Sequence, residues 1–308
     1  MPAASTELLR LLQQRSAELC ELERDPALWS LFLSLQMAPL RRLHAWAVPT
    51  SEALDAVAAA SPNGVVEAGA GTGFWAHALR QRGVSVAPYD VHAGHYNGFH
   101  SVGGSPERRP APPFTRVRPG DAVLAVSSHP RCTALLCWPP PEADQALPAR
   151  ARFMASDALT AFRGNTLVYV GEAEGGASAG PRFHENLRAG WRCTRRVELP
   201  QWPGASDSLS IWQRGPVPDE SASRHERGSV EAPTTEEGLT AEEEAAAAGA
   251  RQALLAQHDA SWHSTAAWHI AARVLSGGPR ARPGVERAAV DAAVAAAPLR
   301  RLLLRLLC

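Results

Sequence analysis

Nine residues, Val65-Val66-Glu67-Ala68-Gly69-Ala70-Gly71-Thr72-Gly73, constrain the fold of this chain more than any other stretch. Two β-branched residues and an acid predict a short buried strand. Three glycines at alternate positions predict a tight turn, and Phe74 to Arg80 follow with helical spacing. A strand that turns through glycines into a helix start is a place to hold a ligand. Glycine adopts dihedrals closed to other residues and lets a ligand approach the backbone, while first-turn N–H groups attract a carboxylate or phosphate. A tight turn without a ligand needs one glycine; three in alternation behind a buried acid favour the ligand.

Strand and helix patterns alternate from this stretch onward, which predicts a parallel sheet with crossover helices. Strand one is read at 65–68 and its helix at 74–82, closed by Gly83. Strand two covers 84–89 and ends on Asp90. A glycine- and histidine-rich loop at 91–113 leads to a third strand at 114–117, and a short helix follows Gly120-Asp121-Ala122. Strand four, 133–138, runs into Pro139-Pro140-Pro141. A helix at 144–162 precedes strand five at 166–170, which ends Gly171-Glu172. A helix at 181–189 and an antiparallel pair at 191–199 and 207–214 complete the pattern.

The flanks differ in composition. Residues 1–50 read as an N-terminal helical segment: Leu8, Leu9, Leu12, Leu19 and Leu22 give an apolar stripe, and Asp25-Pro26 starts a second helix that Pro39 ends. Thr50 or Ser51 caps a further helix, at the head of an α/β domain over 51–215. Residues 216–245 hold prolines, serines and the acidic cluster Glu242-Glu243-Glu244 with little large and apolar, the composition of a disordered linker. An alanine-rich helical tail is expected over 246–308.

Composition excludes several chemistries. The chain has no lysine, so all 31 basic residues are arginine against 31 acids. Schiff-base enzymes, phosphate-loop NTPases and protein kinases each need a lysine. Balanced charge gives no bulk attraction to nucleic acid or membrane. Cys20, Cys132, Cys137, Cys193 and Cys308 are scattered without a CxxC pair, so a reduced, cytoplasmic protein without disulfides or zinc is expected. No secretory signal or membrane-length apolar run is read.

These motifs in this order resemble the class I S-adenosylmethionine-dependent methyltransferases over about residues 46–214. Glu67-x-Gly69-x-Gly71-x-Gly73 resembles the family's first motif, Asp90 the acid that grips the ribose diol, and Gly120-Asp121-Ala122 the segment that holds adenine. Trp138-Pro139-Pro140-Pro141 stands where the family lines the methyl-transfer site. The resemblance implies a Rossmann-like, doubly wound, mostly parallel seven-stranded sheet with an antiparallel last strand, an N-terminal helical cap and a C-terminal helical tail. It implies S-adenosylmethionine held by Glu67, Gly69, Ala70, Gly71, Gly73, Asp90, Asp121, Ala122, Trp138 and Pro139. Chemically, the glycine turn would meet the cofactor's carboxylate with backbone donors, and Asp90 would accept both ribose hydroxyls.

Related enzymes that methylate amide-like or base nitrogens carry Asp, Asn or Ser before two prolines. Trp138 takes that position here, which argues against a nucleobase amino acceptor. Glu172 and Trp138 are the candidate catalytic residues: Glu172 as general base or orienting carboxylate, Trp138 as a face for the sulfonium or a substrate. Glu172 as a loop acid and Trp138 as a core residue are the alternatives. Trp46 to Thr50 would fold over the cofactor or pack under the sheet. His92, His95, His100 and Asn97 crowd one loop without metal-ligand spacing, so no metal is expected. Trp262-His263 and Trp268-His269 read as one face of a packed helix, and the Arg/Leu-rich end from Leu299 to Cys308 as a contact for a partner helix or a membrane surface.

Methyl transfer to an O or N nucleophile of a small molecule or protein is the expected function. A methyltransferase-like cofactor-binding or scaffolding protein is the second reading. The third is a nicotinamide-dependent oxidoreductase, because Gly71-Thr72-Gly73-Phe74-Trp75-Ala76 also fits the GxGxxA fingerprint.

Overall fold

Strands that lie in the middle of a parallel sheet are covered on both faces and must be apolar throughout. The four-residue run Val65–Ala68 is buried at every position, and the runs at 86–90, 133–137 and 166–171 are buried at all but one. The computed structural model describes residues 3–16, 38–95, 101–102, 109–202, 204–215 and 238–257. Helices α1 (Ala3–Ser16), α2 (Ala38–Leu43) and α3 (Ser51–Ala60) come first. Then follow β1 (Val65–Ala68), α4 (Phe74–Arg80), β2 (Val86–Asp90), β3 (Ser101–Val102), β4 (Arg109–Pro110), β5 (Arg118–Pro119) and α5 (Ala122–Ser128). The series continues with β6 (Thr133–Cys137), α6 (Ala149–Arg152), α7 (Met154–Ala161), β7 (Thr166–Gly171), α8 (Pro181–Gly190), β8 (Trp191–Glu198) and β9 (Ser208–Arg214). Helix α9 covers 241–257.

Seven strands form one sheet in the order β5-β2-β1-β6-β7-β9-β8. Neighbours from β5 through β7 are parallel, and β9 runs antiparallel to both β7 and β8. This is the doubly wound, Rossmann-like α/β sheet with a reversed last strand that the sequence predicts. Strand order reverses between β1 and β6, and in such sheets ligands bind beyond the carboxyl ends of the strands at that point. Because β9 is reversed, its first residues lie at the same edge: Ser208 stands opposite Gly171, the last residue of β7.

Alternation along the strands splits the core between two faces. Val66, Ala68, Ala134, Leu136, Leu167 and Tyr169 join a cluster with residues of α5, α7 and α8. Val65 and Glu67 point the other way, to the face where α4 packs on β2 and against α3. Thr50 caps α3 by accepting from the Ala53 N–H at 3.1 Å.

The structure departs from the sequence patterns in several places. The third strand forms at Arg118–Pro119 instead of 114–117, since Phe114 donates its N–H to Thr72 O and wraps the glycine loop first. The helix expected over 144–162 begins after Pro148, which serves as N-cap, and breaks at Phe153 into α6 and α7. Pro39 lies in the first turn of α2, and the helix expected to end at it falls outside the described residues. The acidic cluster 242–244 forms the first turn of α9, where Thr240 and Glu243 exchange bonds as a capping box.

The chain divides into two compact units, one of Met1–Leu9 with Arg41–Ala248 and one of Arg10–Leu40 with Gly249–Cys308. The first holds the sheet; the described residues of the second, 10–16, 38–40 and 249–257, are helical. The helix expected from Asp25-Pro26, the Leu19 and Leu22 stripe, most of the acidic linker, His100, Asn97, both Trp-His pairs of the tail and the terminal Arg/Leu segment lie outside the described residues. No described helix is long and apolar enough to cross a membrane.

Candidate cofactor and acceptor site

Gly69, Gly71 and Gly73 all take left-handed backbone angles, with φ of +79°, +56° and +73°. Two of the three positions are also crowded. A Cβ on Gly73 would lie 2.8 Å from Thr115 Cγ2, and one on Gly69 would lie 2.9 Å from Met154 Cε. The loop therefore presents bare backbone at the carboxyl edge, directly at the switch point.

Its N–H groups do not face outward as the sequence suggested. Gly69 and Ala70 donate to Tyr89 O, Gly73 donates to Ala70 O, and Gly71 donates to Asp90 Oδ2 at 2.9 Å. These four amides close the turn and tie it to β2. The glycines shape the cradle without supplying its charge.

The charge comes from acids. Glu67 is 2% exposed, and burial is the main reason its carboxyl is raised to about 8. The Ala76 N–H of α4 and the nearby Arg80 guanidinium oppose that rise, and Asp90 adds to it. Oxygen Oε2 of Glu67 has no hydrogen-bond partner. Asp90 takes the Gly71 N–H on one oxygen and the His92 N–H on the other at 2.8 Å. A carboxylate offers about four acceptor positions, so Asp90 retains room for hydroxyl donors. Asp121 caps α5 through the Leu124 N–H at 2.7 Å, and Ala122 is buried behind it.

An apolar rim, not singled out in the sequence, accompanies these acids. Val91, Val123 and Leu124 are the exposed large aliphatic side chains among the described residues, and they follow closely on Asp90 and Asp121. Isolated exposed aliphatics are ordinary, but three beside two candidate ligand-binding acids give a ligand an apolar seat. Aliphatic residues close behind each acid were the available signal.

Glu172 and Trp138, the candidate catalytic residues, are both tied into the fold. Glu172, read as a base or a loop acid, is 5% exposed. Its Oε1 accepts from Ser206 N at 2.7 Å, its Oε2 accepts from Ala177 N, and its own N–H donates to Ser178 Oγ. Both oxygens hold loops together. Trp138 has φ +48°, rare for a bulky residue and costing on the order of 1–3 kcal/mol. Its N–H donates to Val170 O and the following Pro139 O accepts from Ala179 N, both at 2.8 Å, which hold the strained turn in place.

Around Trp138 lies a group of residues that the sequence did not bring together. The segment after α2 is strapped to the glycine loop and α4: Thr72 Oγ1 donates to His44 O, and Trp75 Nε1 donates to Ala47 O at 3.1 Å. The strap sets the Trp46 ring 6.0 Å from that of Trp138, so Trp46 stands at the site edge and not under the sheet. Arg41 lies over Trp46 at 5.8 Å and over Trp202 at 5.5 Å. Asp207, just ahead of β9, is 1% exposed with neither carboxylate oxygen in a hydrogen bond of ordinary geometry. Burial raises it to about 6; the approaching Trp138 indole N–H and Arg41 oppose this, and Glu172 adds to it. Asp207 was findable only from topology, because a reversed last strand begins where the parallel strands end.

Comparisons with known proteins give distant likenesses. No protein-family model and no curated protein matches the chain. Among solved structures, it is similar to magnesium protoporphyrin IX methyltransferase from Synechocystis, solved with bound SAM. Identity there is 14%, coverage 60% of this chain and 94% of that one, and the TM-score 0.36. It is also similar to 1,6-didemethyltoxoflavin-N1-methyltransferase from Burkholderia thailandensis, solved with 1,6-didemethyltoxoflavin and S-adenosylhomocysteine. There identity is 16%, coverage 70% of this chain and 91% of that one, and the TM-score 0.31.

Proposed function

We propose that the protein transfers the methyl group of S-adenosylmethionine to an O or N nucleophile of a small molecule or protein, in a reduced, cytoplasmic setting. The observation that carries this reading is Glu67: a buried carboxyl with an open oxygen, in the end of the strand that leads into the glycine cradle. That group suits a ligand bearing an ammonium ion. Asp90 would accept from the ribose hydroxyls, and Asp121 with Ala122 would meet adenine between the aliphatic side chains of Val91, Val123 and Leu124. Trp138 and Pro139 would flank the methyl group.

When bound, the cofactor supplies an electrophilic methyl carbon whose bonding pair stays with sulfur, while the nucleophile supplies the new pair and gives up a proton. The chain has to align the two partners and keep water out, which carries much of the acceleration in such displacements. Two walls serve that end, the glycine cradle on β1 and the Trp138 turn on β6.

A diphosphate ligand fits poorly. Pyrophosphate needs free backbone donors at the glycine turn, and those of Gly69, Ala70, Gly71 and Gly73 are already engaged within the protein. Asp90 would also repel it. The test is calorimetric titration of S-adenosylmethionine into wild type and Glu67→Gln. Loss of the carboxylate should weaken binding by about tenfold or more. Equal affinity in the two proteins would remove Glu67 from the site and the reading with it.

A further inference from the structure

Trp46 and Trp138 stand side by side at the carboxyl edge, tilted 36° to one another and each only partly buried. Trp75, Trp191 and Trp202 are at most 7% exposed, so they are core residues and this pair is not. Both rings of the pair are held in place. Trp138 sits on a left-handed turn pinned to β7, and Trp46 sits on a strap bonded to Thr72 and Trp75. A bulky residue kept at positive φ is a strain the fold sustains for the sake of a position, and the position here is the wall of the transfer site.

Behind this wall the polar groups are incomplete. Asp207 is 1% exposed, and both its oxygens lack a hydrogen bond of ordinary geometry. The Trp202 indole N–H is likewise buried and open. Buried polar atoms are nearly always paired, and the group that approaches the Asp207 carboxyl is the Trp138 indole N–H. Two buried carboxyls stand here, Glu172 bonded to Ser206 and Ala177 and Asp207 beside it, and the Arg41 guanidinium over Trp46 is drawn to both.

Resting on the methyl-transfer reading, we propose that the acceptor is an uncharged planar aromatic molecule that lies against the Trp46–Trp138 face and offers its hydroxyl or amino nucleophile beside Pro139. Stacking needs a flat π-face, and the indole pair provides one. A saturated molecule would lose that contact, and an anionic one would have to compete with Asp207 and Glu172 for the one guanidinium of Arg41. Asp207 acts here as a positioning residue, orienting the Trp138 indole from behind.

The probe is 2-naphthol, with decahydro-2-naphthol as its saturated counterpart and 2-naphthoate as its anionic one. Each is titrated calorimetrically into the full chain preloaded with S-adenosylhomocysteine. The expected result is 2-naphthol binding about tenfold or more tightly than either comparator. Trp46→Leu and Trp138→Leu should each weaken it by about tenfold, while Trp46→Phe and Trp138→Phe recover most of the loss, which separates a lost aromatic face from a lost fold. Asp207→Asn should weaken 2-naphthol binding and shift the near-UV tryptophan dichroism. Equal binding of 2-naphthol and its saturated form, tight 2-naphthoate binding, unaffected leucine variants, or no 2-naphthol binding by a chain that holds S-adenosylhomocysteine would each overturn the proposal. Failure to bind S-adenosylhomocysteine at all would instead sink the methyltransferase reading beneath it.

Discussion

Glu67 concentrates the physical tension of the molecule in one side chain. An acid whose folded pKa stands near 8 against an ordinary 4.5 binds its proton more tightly folded than unfolded. Stability should therefore fall as pH rises from about 4.5 to about 8, by up to about 1.4 kcal/mol per unit. Asp207, raised to about 6, adds a slope of the same sign below that value. His129 and His184 are lowered by burial and contribute the opposite sign below about 6.5. The window from about pH 6.5 to 8 thus isolates Glu67 among these groups. Urea denaturation across that window should show stability declining in wild type and flat in Glu67→Gln; parallel curves would refute the burial argument. Gly73 gives a second residue-scale expectation. With φ at +73° and Thr115 Cγ2 at 2.8 Å from the added carbon, Gly73→Ala should cost about 1–3 kcal/mol by the same measurement. A neutral substitution would mean the loop is softer than its angles imply.

The strap from His44 to Val48 is the element that couples sequence regions far apart along the chain. Two side-chain donors of the glycine-loop region, Thr72 Oγ1 and Trp75 Nε1, hold it by its carbonyls. A net hydrogen bond contributes about 1 kcal/mol, so Thr72→Val should speed amide exchange in residues 44–48 roughly fivefold while leaving β1 and β6 protected. Unchanged exchange would place the strap's anchorage elsewhere. Elements were legible in the sequence where apolar runs and glycines agree, as in β1, β6 and β7. They were misread where one local signal had a tertiary competitor. Phe114 and Thr115 look like strand residues, yet Phe114 packs at 4.7 Å on Phe74 and Thr115 crowds Gly73. Glu242 to Glu244 look like a linker, yet an acidic first turn under a Thr240 cap suits a helix N-terminus.

For the whole molecule, the reversed last strand decides what the site contains. By running β9 antiparallel beside β7, the sheet brings Ser206 and Asp207 to Glu172 and Trp138 at the carboxyl edge. The cofactor half of the candidate site was legible because its residues stand at strand ends, Glu67 within β1, Asp90 closing β2 and Trp138 just after β6. The acceptor half was legible only at Trp46, since residues 41–46 and 202–207 are two distant stretches joined only by the fold. At this scale one claim stands above the rest: the cradle fits a cationic nucleoside ligand and rejects a diphosphate one. Calorimetry with S-adenosylmethionine and with NADH on the full chain tests it most directly. The predicted result is one-to-one binding of S-adenosylmethionine, tightening as pH rises toward the raised Glu67 value of about 8, and no heat from NADH. Saturable NADH binding with no response to S-adenosylmethionine would contradict it.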